Sequence, residues 1–132
     1  MKLIENFYKI IKFSVENENI NIFYVELNYE HEIYKAHFPD NPITPGVCLI
    51  AIVKEILSIY ILKNQNIKLE HIKNVKFLNP INPLIDKNLV YKIEYKKNDN
   101  ETIAKIEILN KNLNLTFAKI KLIVSENRLN ID

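Results

Sequence analysis

The chain is poor in the residues that usually punctuate a fold: among 132 residues there is one glycine and one cysteine. The lone Cys48 excludes an internal disulfide. There is no basic stripe, because 18 basic and 16 acidic residues are interspersed to a net charge of +2, and nucleic-acid binding is not indicated. No apolar run is long enough for a bilayer, which needs roughly 20 residues. The longest, Val47 to Leu62, is interrupted by Lys54, Glu55 and Ser58, so no membrane span is expected. Met1 to Ile11 carries Glu5 and Lys9 and no small residues of the cleavage-site kind, which argues against a secretory leader and for the cytoplasm. Linkers, repeats and low-complexity stretches are missing too, beyond a general richness in Asn, Ile and Lys. A single domain over residues 1–132 is expected, with 48% hydrophobic content to fill one core. His31 and His71 read as ordinary surface or strand residues. With His37 and Cys48 they lack the clustered spacing of a zinc site, so neither a metal nor a cofactor is expected.

What the chain does have is concentrated in His37-Phe38-Pro39-Asp40-Asn41-Pro42-Ile43-Thr44-Pro45-Gly46-Val47. This stretch holds three of the five prolines, the one glycine and one of three histidines. Proline at every third position fixes φ and pushes each preceding residue toward extended backbone, so residues 38–45 should form a stiff arm. The apolar run that follows predicts a helix from about Pro45 to Leu62, with Thr44 as N-cap and Pro45 in the first turn. Gly46 then lies where backbone N–H groups have no helical partner and the helix dipole is positive, and its missing side chain would let a ligand approach the backbone. That is a potential oxyanion site. Cys48 reads as a small core residue.

The rest alternates. Phe7, Ile11, Phe13 and Val15, then Phe23, Val25 and Leu27, predict a hairpin over residues 7–15 and 20–27 with its turn at Glu16 to Asn19. Residues 28–36 read as a loop with a short extended piece. Strands are expected at 71–78, 88–97, 102–109 and 115–124, joined by Asn-rich turns suited to positive φ. The helix is apolar nearly all round, as expected if a sheet wraps it. The fold class is therefore α+β: one long central helix and an antiparallel sheet.

His-Phe-Pro-x-x-Pro-x-x-Pro-Gly-Val leading into an apolar helix resembles the signature of the 3-hydroxyacyl-acyl-carrier-protein dehydratases of fatty-acid synthesis, the FabZ/FabA type with the hotdog fold. The match is ungapped over His37 to Val47, and Lys76-Phe77-Leu78-Asn79-Pro80 followed by Pro83 resembles the family's strand ending in a proline-containing turn. The resemblance implies His37 as base for the C2 proton, Gly46 or Val47 as oxyanion donor, and Phe38, Pro45, Val47 and Ala51 against the substrate. It also implies a second catalytic residue, Glu or Asp, five residues after the glycine. This chain has Ala51 there, which cannot donate a proton. Glu55 lies four residues further along the same helix face, about 6 Å along the axis, with a side chain that leans back toward the N-terminus. It is the candidate replacement acid, with His37 returning its own proton as another route.

In such a family the acid comes from the neighbouring subunit and two hotdogs join edge to edge. A homodimer or higher homo-oligomer is therefore implied, or a heterodimer. The partners implied are acyl carrier protein or coenzyme A thioesters, with Lys35, Lys54, Lys63, Lys73 and Lys76 as a docking rim for an acidic carrier. Three functions compete: a 3-hydroxyacyl-thioester dehydratase, a hotdog acyl thioesterase, and a non-catalytic carrier-binding subunit of a heterodimer.

Overall fold

The computed structural model describes residues 6–36 and 40–126. His37, Phe38 and Pro39 lie outside the described residues. The described chain runs β1 (Tyr8–Asn17), β2 (Ile20–Leu27), α1 (Glu32–Ala36), α2 (Gly46–Ile56), a π-helical turn (Leu57–Ile61), β3 (Ile67–Phe77), β4 (Asn88–Asn98), β5 (Glu101–Asn110) and β6 (Thr116–Glu126). All neighbouring strands are antiparallel, in the order β1-β2-β4-β5-β6-β3. The predicted α+β class, with one long helix against one sheet, is the class observed.

Alternation builds the sheet's inner face. In β2 every second residue is buried, Asn21, Phe23, Val25 and Leu27. Thr102, Ala104, Ile106 and Ile108 do the same in β5. Opposite them α2 buries Cys48, Leu49, Ile52, Val53 and Ile56, a stripe at the helical period. The other side of α2 is more open than an all-round apolar helix predicts: Val47 is 67% exposed and Lys54 is exposed. Ala51 and Glu55 are half-buried. The sheet therefore wraps one stripe of the helix, not its whole circumference.

Several local expectations are corrected. Residues 32–36 form a helical turn and not an extended piece: the Tyr34 N–H bonds to the His31 carbonyl (3.1 Å), and His31 Nδ1 accepts from the Ile33 N–H (3.1 Å). The α-helical part of α2 stops at Ile56, where the spacing widens to the π form and the Leu62 N–H reaches the Leu57 carbonyl (2.7 Å). Lys63 then takes φ 51° and ends the element. The β1 side chains Ile11, Phe13 and Val15 are 51%, 49% and 62% exposed, because β1 is an edge strand with register shifts beside Ile10 and Val15. In the two Asn-rich turns the positive φ falls on Asp99 (54°) and Leu113 (61°). Asn110 serves through its side chain instead, with Oδ1 accepting from the N–H groups of Asn114 and Leu115 (3.0 and 3.1 Å).

Thr44 is not the N-cap. That place belongs to Pro45, with φ −62° and ψ 140° and no side-chain cap. The Thr44 hydroxyl is instead buried against the Tyr34 hydroxyl (2.9 Å), and the Thr44 N–H bonds to the Ile81 carbonyl (2.8 Å). One bond thus ties the end of α1 to the start of α2 across the segment that carries His37. Burial pushes the Tyr34 hydroxyl pKa up to about 12, the Thr44 bond acting in the opposite sense. Thr44→Val should lower unfolding stability by roughly 1–3 kcal/mol in urea titrations, since it strands a buried tyrosine hydroxyl; adding Tyr34→Phe should recover part of the loss.

Candidate active site

The first residue of α2, Gly46, and its neighbour Val47 have N–H groups with no acceptor among the described residues, while the Cys48 N–H already reaches the Pro45 carbonyl (3.0 Å). This is the free donor pair expected of a helix start. Gly46 forms part of an open groove of about 370 Å³, walled by Ile43 to Pro45 and Leu49 on one side and by Phe77 to Ile81 on the other. Both walls are held by backbone. Thr44 bonds across to Ile81, and the N–H groups of Leu78 and Asn79 both reach the Phe117 carbonyl (2.8 and 3.2 Å).

The side of Gly46 where a Cβ would project is occupied. A Cβ there would stand 2.4 Å from Phe77 Cζ and 2.8 Å from Cε2, distances real Cβ atoms do not adopt. With the ring in this place there is no room for a Cβ at position 46, and the group closing on the glycine is the outer edge of an aromatic ring of the same chain. Sequence reasoning placed Phe77 in a strand-end pattern without giving it a role; its pairing with Gly46 spans a distance that local periodicity does not encode.

None of the groove walls among the described residues carries an ionisable side chain. Ala51 offers none, and Glu55, nine residues beyond Gly46, sits about 13 Å further along the helix. The Glu55 carboxylate is engaged elsewhere: Oε1 accepts a 2.5 Å hydrogen bond from the Tyr8 hydroxyl of β1. Tyr8 is held far above its ordinary pKa, first by burial, then by the bond to Glu55 and that carboxylate's charge, with Tyr60 adding to it. Tyr8 stays protonated and donates, so Glu55 Oε1 is already engaged as an acceptor, toward β1 and away from the groove. The Tyr8–Glu55 pair was not legible in the sequence, where Tyr8 is one aromatic in a strand pattern.

Of the remaining site candidates, Pro45 lines the groove and Val47 projects outward. His37 and Phe38 are outside the described residues. Cys48 is buried and its thiol pKa is raised by that burial, which disfavours the thiolate. His31 packs edge-on against Phe7, ring centroids 5.3 Å apart, and His71 is exposed on β3. No group of three or more metal-ligating side chains occurs among the described residues. No helix among them is long and apolar enough to cross a membrane. The five candidate rim lysines, Lys35, Lys54, Lys63, Lys73 and Lys76, are all exposed.

Comparison with known proteins adds to this geometry. The model of a family described as ApeI-like, ApeI dehydratase, matches residues 13–116. A curated relative, the 3-hydroxyacyl-[acyl-carrier-protein] dehydratase FabZ of Fusobacterium nucleatum subsp. nucleatum, is 33% identical over 69 residues; the match covers 50% of this chain and 48% of the relative. Among solved structures, a chain of the dehydratase heterocomplex ApeI:P from Xenorhabdus doucetiae superposes with a TM-score of 0.73 at 19% identity, covering 89% of this chain and 97% of that one. Thioesterase superfamily member 2 from Mus musculus superposes at 0.65 with 10% identity, covering 96% and 86%. At those identities the two structures speak for a shared hotdog fold, which dehydratases and thioesterases both use.

Proposed function

The chain belongs to the ApeI-like dehydratase family, and on that premise we propose that it eliminates water from 3-hydroxyacyl thioesters at a site whose leaving-group acid comes from another subunit. His37 takes the C2 proton, imidazole being the side chain most often used as a general base. Negative charge then grows on the thioester oxygen, facing the free N–H groups at the start of α2. The C3–O bond breaks, its electron pair leaves with the hydroxyl, and a proton from the acid completes a water molecule. The product is a trans-2-enoyl thioester.

The observation that carries this reading is the groove itself: helix-start donors and apolar walls are in place, and no described wall residue is an acid. Ala51 removes the family's usual donor, and Glu55 Oε1 is held by the Tyr8 hydroxyl of β1, away from the groove. The family's two-fold arrangement lets a neighbouring chain fill that role, and the heterocomplex named for the Xenorhabdus relative is consistent with an unlike partner. The exposed lysines suit an acidic carrier protein as the bearer of the acyl group.

The test is mass-spectrometric detection of water loss from 3-hydroxyacyl carrier protein, with the purified chain alone and with a related subunit that retains the helix Glu. Water loss at least about 10²-fold faster in the mixture is expected, the usual worth of a positioned acid. Full activity of the chain alone, abolished by Glu55→Gln, would instead assign the acid to Glu55. Free acid in place of the enoyl thioester would assign the chain to the thioesterases.

A further inference from the structure

We infer that the Phe77 ring is a displaceable cover over the start of α2, so that an acyl thioester enters the groove by turning this ring aside. The inference rests on the dehydratase reading of the groove and adds to it a residue that controls access. Three observations carry it. The ring lies where a Cβ of Gly46 would be, with Cζ, Cε2 and Cε1 all within 3.0 Å of that point, so it fills the glycine's open side. Yet Phe77 is 54% exposed in the single chain, so it is not locked into this chain's core. And the walls around it are fixed independently of the ring. Phe77 pairs with Ala118 through backbone, Leu78 and Asn79 hang from the Phe117 carbonyl, and the Asn79 amide donates to the Thr116 carbonyl (3.0 Å).

A change of Phe77 rotamer therefore breaks none of the hydrogen bonds that shape the groove. The same change exposes the glycine backbone, the one place on α2 where no side chain would obstruct a thioester. The ring and a thioester would both have to approach the same glycine backbone, so the ring must leave before the thioester can take its place.

The chain contains no tryptophan, so Phe77→Trp creates a single fluorescent reporter at the proposed cover. The ligand is the decanoyl amide analogue of pantetheine, which can be neither dehydrated nor readily hydrolysed, and its binding is followed separately by calorimetry. A shifted emission maximum and altered acrylamide quenching at saturating analogue are expected. Phe77→Ala supplies a second readout whose sign is diagnostic. For a cover that is closed about nine-tenths of the time, its removal should tighten binding of the analogue about tenfold. For a simple wall, its removal should weaken binding. Calorimetric binding with unchanged emission, or weaker binding by Phe77→Ala, would overturn the cover while leaving the dehydratase reading intact. No binding either by the unaltered chain or by its mixture with a related subunit that retains the helix Glu would remove both.

Discussion

Replacing His37 with alanine should lower water elimination about 10²- to 10⁴-fold, the span a general base commonly contributes, with little change in thermal unfolding. The separation of the two readouts follows from what anchors the flanks of this residue. On one side α1 ends at Ala36, with Tyr34 buried against the core; on the other, Pro42 and Thr44 are buried, and Thr44 is bonded to both Tyr34 and Ile81. None of those contacts uses the His37 side chain. Rate measurements by mass spectrometry beside calorimetric melting check both parts. A loss of activity matched by a loss of folding would mean that His37 is structural.

Gly46→Ala should reduce activity about 10²-fold, and adding Phe77→Ala should not restore it. The new Cβ would meet the Phe77 ring at 2.4 Å, and because the contact is with the outer edge of an exposed ring, the ring can swing away and the protein should still fold. The N–H at position 46 survives the change. What is lost is close approach of a thioester to that N–H, and a misplacement of the order of 1 Å can cost about 10²-fold. Removing the ring in the double variant relieves the clash but leaves the methyl group in the substrate's path. Recovery of activity in the double variant would show that glycine is needed only to accommodate Phe77. Circular dichroism of all three variants guards against misfolding as the cause.

How much of this was legible in the sequence depended on the range of the interaction. The edges of β2, β4, β5 and β6 follow a period of two that any short window displays, and their observed limits lie close to those expected. The helix start was legible from Pro45 and Gly46, whose backbone constraints are intrinsic. Its end, expected at about Leu62, lies within a residue of the observed Ile61, but the change to π spacing at Leu57 was not legible, since no proline or glycine marks it. The short helix at Glu32–Ala36 was missed for a related reason. It is a single turn held by His31 and by the burial of Tyr34, too short for a periodic signal.

The roles of individual side chains divide in the same way. By itself the sequence determined the class of fold, the glycine at a helix start, and the absence of a carboxylate at Ala51; each is a local pattern or a residue's own chemistry. Only the tertiary structure decided that Thr44 serves Tyr34 and not the helix end, that Glu55 accepts from Tyr8, and that Phe77 closes over Gly46. Each of those pairs joins separate elements of the fold, and Tyr8 and Glu55 are 47 positions apart. A side chain with several possible partners takes the one that packing brings within bonding distance, and that choice is made by the assembled core, not by its neighbours in sequence.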